Sequence, residues 1–345
     1  MAVSARAPRF RFSRTFRVIG LACGAVLLAS CGGAHSSTES ATASDDDGST
    51  PGDADTDTID NCGVDVPLDG APERVVTMNQ AATEVMLALG LEDRLVGTAY
   101  LDDEILPEYA DAYASVPVLA DEYPSTETLL DAEPDAVYAA YSSAFDPEHA
   151  GDRSELAELG ILSYLSPSAC PETPSDEPLD IELVWQEIRE IGTIFGVSER
   201  ADELIAEQED ALKAAVPTDD GRPPPTVMWW DGGSDAPRVG ACCGAPGMMM
   251  DAAGAENVFG DIDGSWTDVS WEQVVERDPD VIVLIDAEWS PADEKRDVIA
   301  STPAVSELPA VREQRFVEVP FSATTPGVRN AGAIVDLAEE LEVLR

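Results

Sequence analysis

The sequence predicts an α/β protein: two Rossmann-like lobes with mostly parallel sheets, joined by a single long α-helix, with a ligand cleft between the lobes. Three observations predict it. First, thirteen residues recur 145 positions downstream, where Ser125-Thr-Glu127-Thr-Leu-Leu-Asp-Ala-Glu-Pro134-Asp135-Ala-Val137 aligns with Ser270-Trp-Glu272-Gln-Val-Val-Glu-Arg-Asp-Pro279-Asp280-Val-Ile282. A solenoid unit runs to roughly 20–50 residues, so so long a period duplicates a lobe rather than a repeat. Second, β-branched runs alternate with helical stretches on both sides of the midpoint, the pattern of parallel α/β layers. Third, Ser198 to Val216 carries one apolar stripe and lies between the two copies.

Taken in order, residues 1–30 hold Arg6, Arg9, Arg11, Arg14 and Arg17 and no acid, then an apolar run from Val18 to Ala29. A helical membrane span needs about 20 apolar residues, so this shorter run is expected to be a secretory signal. It ends in Leu28-Ala29-Ser30-Cys31-Gly32, which resembles the lipobox of bacterial lipoproteins. That resemblance implies that Cys31 is lipidated and becomes the first residue of the mature chain; the alternative is an ordinary signal followed by a stray Cys. Residues 31–60 are Ser, Thr, Gly, Ala and Asp with almost no large apolar side chain. Such a segment cannot repay the entropy of ordering, and as an acidic tether it would reach roughly 30 Å.

The first lobe is assigned to 61–197. Arg74 to Met78, Leu95 to Leu101, Val116 to Ala120, Ala136 to Tyr141 and Ile161 to Leu165 read as strands, and Ala82 to Leu89 as a helix with Val85, Met86 and Leu89 on one face. The linking helix is 198–216, with Ala201, Leu204, Ile205, Ala211, Leu212, Ala215 and Val216 in register and Pro217 as its stop. As a rod of about 28 Å it would limit opening of the lobes, unless it packs as an ordinary helix of one lobe. The second lobe, 217–345, repeats the scheme with strands Thr226 to Trp230, Val281 to Ile285 and Phe316 to Val319, and helices Met248 to Ala253 and Ala331 to Leu341.

The formal net charge is −48, from 20 basic and 68 acidic residues, and Lys occurs only at 213 and 295. Nucleic acid and anionic lipid are therefore excluded as partners by repulsion. The acidity suits either a cationic ligand or solubility in a salty habitat. Four cysteines remain after the signal and Cys31, and in an oxidising compartment they allow three pairings. We expect Cys62 with Cys170, which flank the first lobe, and a vicinal Cys242–Cys243 bridge forming a hydrophobic knuckle towards ligand. Free thiols at 242 and 243 would instead suggest a soft metal such as Cu(I).

Clefts in open α/β sheets are lined from the loops after the strands. Tyr100, Tyr123, Tyr141, Phe145, Trp229, Trp230, Trp266 and Trp289 stand at such places and suit a large, flat or apolar ligand. Singly, each reads equally as core. No metal site is expected, since His35 and His149 are the only histidines. Asp102, Asp103 and Glu104 could offer hard oxygen ligands but read as a solvated turn. G-x-S-x-G, H-E-x-x-H and P-loop signatures are missing, which argues against an enzyme.

Gly70-Ala-Pro72-Glu-Arg74-Val75-Val76, then Glu84, Ala88-Leu89-Gly90, and the units at Ser125 and Ser270 resemble the cobalamin and ferric-siderophore binding proteins that feed ABC importers. The resemblance runs from about Asn61 to the C-terminus. It implies a monomeric, lipid-anchored, extracytoplasmic protein without a cofactor, holding a ferric chelate or corrinoid for a permease and its ATPase. It further implies that Glu127 and Glu272 pair with permease arginines, although in a first helical turn each also serves the helix dipole for about 0.3–1 kcal/mol. Arg329 resembles an arginine aimed at an anionic chelate, and its plain alternative is a salt bridge; Arg238 is a second candidate. The vicinal Cys pair departs from the family pattern. A membrane-anchored enzyme or ligand sensor on the same scaffold is the rival reading.

Overall fold

A computed structural model describes residues 57–216 and 221–344. The signal, Cys31, nearly all of the tether and Pro217 lie outside them. Folded sequence starts earlier than expected, in an antiparallel hairpin of β1 (Thr58–Asn61) and β2 (Val64–Pro67). Cys62 and Gly63 turn it with φ of 55° and 74°, the left-handed conformation that two-residue hairpin loops require. Cys62 is bonded to Cys170, their Cα atoms 5.1 Å apart. Buried Asn61 exchanges 2.8 Å bonds with the backbone of Leu165 and accepts another from Arg153, fastening the hairpin to the lobe.

The first sheet is wholly parallel. Along the chain come β3 (Val75–Met78), α1 (Gln80–Ala88), β4 (Leu95–Ala99), α2 (Ala110–Tyr113), β5 (Val118–Ala120), α3 (Thr126–Asp131), β6 (Ala136–Ala139), α4 (Arg153–Glu158) and β7 (Leu162–Leu165). The strand order is β5-β4-β3-β6-β7. Next come two long helices, α5 (Ile181–Ile194) and α6 (Ser198–Ala215).

The second lobe continues with β8 (Thr226–Gly232), β9 (Arg238–Gly240), α7 (Ala245–Ala252), β10 (Glu256–Asn257), β11 (Trp266–Asp268), α8 (Trp271–Arg277) and β12 (Val281–Asp286). It ends with α9 (Ala292–Ser301), α10 (Pro309–Arg312), β13 (Phe316–Pro320) and α11 (Arg329–Leu344). Its sheet runs β11-β9-β8-β12-β13, with β10 also on β8; β9 and β11 are antiparallel additions that strand periodicity did not reveal.

The repeated thirteen residues do the same work in both lobes. Ser125 and Ser270 cap α3 and α8, each accepting a backbone N–H three residues on. Ser270 completes a capping box with Gln273. Glu133 and Asp278 then take left-handed φ of 48° and 44°, ahead of a buried proline. The following aspartate reaches the first strand of its own lobe. Asp135 accepts from the N–H groups of Glu73 and Arg74, and Asp280 accepts from the N–H and hydroxyl of Thr226. Helix end, strand start and sheet register are thereby fixed together.

Between the sheets lies a single apolar core that crosses from lobe to lobe. It joins Val75, Val85 and Met86 to Trp185, Ile188 and Ile191 of α5, Leu204 and Ile205 of α6, and Met249, Val283 and Ile334 beyond. α6 touches both lobes: Arg200 donates to the Ala88 carbonyl and Gln208 to that of Val328. Its expected stripe is buried at Ala201, Leu204 and Ile205 and half-buried at Leu212, Ala215 and Val216, with Leu212 packed on the same core; Ala211 is exposed. α5 packs beside it as a second member of the junction.

Candidate functional site

The C-terminal ends of the parallel strands of both sheets meet at a seam, where polar contacts join the lobes. The Ser322 N–H donates to Asp103 at 2.8 Å, and the hydroxyls of Tyr141 and Thr325 lie 2.6 Å apart. Arg329, at the start of α11, grips Glu84 of α1 through two bonds, Nε to Oε2 at 2.6 Å and NH2 to Oε1 at 2.5 Å. It also donates to the Glu104 carbonyl. Glu84 is fully buried, so removing either partner would strand a charge at a cost of about 3–5 kcal/mol. Gly327 lets the backbones close: a Cβ there would sit 3.0 Å from that of Ala81.

Aromatic rings flank the Asp103–Ser322 contact from both lobes. On the first, Tyr100 and Tyr123 meet edge to face at 4.6 Å, and Tyr123 lies 5.2 Å from His149. Tyr123 donates to Asn79, and both Asn79 (φ 74°) and Tyr100 (φ 58°) hold left-handed backbone at strand ends, strain that concentrates at binding sites. On the second lobe, Trp289 packs edge to face on Phe321 at 4.8 Å while remaining 60% exposed. A cavity of about 280 Å³ opens into the seam, with Tyr141, Ser142 and Ala169 on one side and Gly244, Trp266 and Pro326 on the other.

Burial, with the neighbouring Asp103 charge second, pushes Asp102 up to about 6. Burial also raises Tyr123, and it lifts Tyr141 to about 12; the Asp102 charge adds to both shifts. These groups thus share one neighbourhood. Among the described residues no group of three His, Cys, Asp or Glu side chains could hold a metal, and no helix is long and apolar enough to cross a membrane.

The structure therefore brings Tyr100, Tyr123, Tyr141, Trp266 and Trp289 to the seam. It places others elsewhere. Trp229 and Trp230 are fully buried, pointing from a central strand into the cores on opposite faces of the sheet. Phe145 is buried beneath Arg153. Arg329 is consumed by Glu84, and Arg238 is exposed between Asp231 and Asp268. Asp103 accepts across the seam from Ser322 rather than lying in a solvated turn, whereas Glu104 gives only its carbonyl to the seam and its side chain is exposed. Cys242 and Cys243 are bonded to each other, but Gly244 and Ala245 form the cavity wall, and a Cβ on Gly247 would collide with the Cys242 carbonyl. Glu127 and Glu272 stand exposed in the first turns of α3 and α8. Sequence reading missed Asn79, Thr325 and Phe321, whose only signal was position just after a strand.

Two α/β lobes that meet at a seam flanked by aromatic rings have the architecture of a two-lobed solute-binding protein. Residues 75–323 match the family described as periplasmic binding protein, and the chain belongs to it. It is 26% identical to an uncharacterized ABC transporter substrate-binding lipoprotein, YvrC, of Bacillus subtilis, over 80% of this chain and 82% of that one. A cobalamin-binding protein of Halobacterium salinarum is 28% identical over 63% of this chain and 55% of its own. A periplasmic binding protein from Veillonella parvula superposes with a TM-score of 0.73 at 30% identity, covering 83% of this chain and 96% of that one. The chain is accordingly an extracytoplasmic ABC-transporter substrate-binding protein of the Fe/B12 family, a non-enzymatic binding family.

Proposed function

We propose that this protein captures an iron-siderophore or cobalamin-type chelate at the seam and hands it to the permease. The observation that carries this is the pair of ring sets, Tyr100 with Tyr123 and Trp289 with Phe321, converging from two lobes on one contact. Rings offer flat area at low entropic cost, which suits the apolar periphery of a chelate. The cavity is smaller than the 300–1,000 Å³ that encloses drug-sized ligands, so a bulky chelate uses the exposed rims as well, or loosens the seam. The cobalamin-binding relative supports the ligand class, and the lipoprotein relative supports anchoring through Cys31 and its tether. α6 serves as the spine between lobes, and Glu127 and Glu272, one per lobe, meet basic groups of a two-fold permease.

Intrinsic tryptophan fluorescence tests the reading, because Trp289 and Trp266 stand where ligand arrives. Titration with ferric hydroxamates, ferric catecholates, haem and cobalamin should give saturable quenching by at least one, with the ligand recovered unchanged. Saturation by none of them would refute it.

A further inference from the structure

We propose that the cleft admits chelates carrying no net negative charge, neutral or cationic, and turns anionic ones away; this rests on the chelate-binding reading above. The reason is that, among the described residues, the seam has acids and rings to offer but no available Lys or Arg. Arg329, the one arginine in the seam, has its guanidinium occupied by both oxygens of Glu84 and by the Glu104 carbonyl. Lys295 lies under the loop that bears Trp289, where its ammonium is buried and donates to the carbonyls of Ile285 and Ser290, with Asp231 and Asp286 answering its charge. Arg238 is held between Asp231 and Asp268.

The same holds across the molecule. Among the described residues, every Lys and Arg but one is paired with a carboxylate or bonded to a backbone carbonyl. The exception, Arg312, ends the short helix α10 that leads into the N-terminal end of β13, the end of that strand away from the seam.

Against this stand Asp102, half buried among Tyr100, Tyr123 and Tyr141, and the exposed Glu122 and Glu288 beside the ring-bearing Tyr123 and Trp289. Ring faces carry negative potential and attract cations, adding to the carboxylates. An anionic chelate would meet like charge there, screened least by water at half-buried Asp102 and more at the exposed Glu122 and Glu288. A neutral or cationic chelate meets no such barrier.

The test varies ligand charge on a constant scaffold. Two series are titrated at pH 7 by tryptophan quenching, where the water of aquocobalamin keeps its proton and Asp102 is mostly ionised. One is ferrioxamine B with its amine free (cationic), acetylated (neutral) or succinylated (anionic). The other is aquocobalamin (cationic), cyanocobalamin (neutral) and a cyanocobalamin monocarboxylate (anionic). In whichever series binds, the anionic member should be at least tenfold weaker than the neutral one. Asp102→Asn or Glu288→Gln should narrow that ratio at least threefold, with melting temperatures confirming that the variants fold. An anionic member that binds as tightly as the neutral one overturns the inference, and so does a ratio unchanged in both variants. Binding of ferric enterobactin or haem, with neither series bound, overturns it while leaving chelate capture intact. Silence towards every probe overturns chelate capture itself and the inference with it.

Discussion

Glu187 is sealed inside the first lobe, where the hydroxyls of Tyr138 and Ser166 donate to its two oxygens and burial pushes its carboxyl up to about 7. An unfolded Glu titrates near 4.5, so between these values the folded state holds the proton more tightly than the unfolded one. The stability this confers is full below pH 4.5 and is lost as pH rises through about 7, a swing on the order of 3 kcal/mol. Glu187→Gln should remove that swing. The fall in melting temperature between pH 5 and pH 8.5 would shrink relative to the native protein, and an equal fall in both would exclude Glu187 as the titrating group. Single residues were also where sequence reading went astray. Trp229 and Trp230 looked like strand-end aromatics, but β8 is a central strand buried on both faces, and there alternation points each ring into a core rather than a cleft. Arg329 was legible as special without revealing its partner, because Glu84 lies 245 residues away.

Elements were more legible than residues. Every strand read from β-branched runs exists, and the Ser-to-Pro-Asp unit folds alike in both lobes because capping, left-handed termination and the aspartate clasp are all local chemistry. β9 and β11 escaped notice because each is three residues long, too short for period-two alternation to register. The β1–β2 hairpin was placed partly in the tether because its composition is polar; its order comes from Asn61 and from the Cys62–Cys170 bridge, which closes a loop of 108 residues. Replacing both cysteines by serine should cost about 2–5 kcal/mol in denaturant unfolding. A loss below 1 kcal/mol would mean that the hydrogen bonds of Asn61 alone secure the hairpin.

At the scale of the whole molecule, the two lobes share a continuous core through α5 and α6, so opening is resisted by apolar packing as well as by the Glu84–Arg329 pair. The docking proposed for Glu127 and Glu272 needs no such opening. Glu127 and Glu272 are exposed on equivalent helices, and neither is engaged in an ion pair. Reversing both to lysine should abolish importer-dependent uptake while the fluorescence-measured affinity stays within about twofold; undiminished uptake would remove their assignment.

The two-lobed α/β plan, the duplicated helix-to-strand unit and the acidity are all written in the chain, since they follow from periodicity, capping chemistry and composition, which are local or additive. Chain folding in three dimensions set which rings face the seam, that Arg329 is spent on Glu84, and that the first-lobe acids Asp102 and Asp103 lie at that seam. Those facts depend on which distant segments meet, and the free energy of such meetings comes from burial and pairing across hundreds of residues, which no window along the chain records.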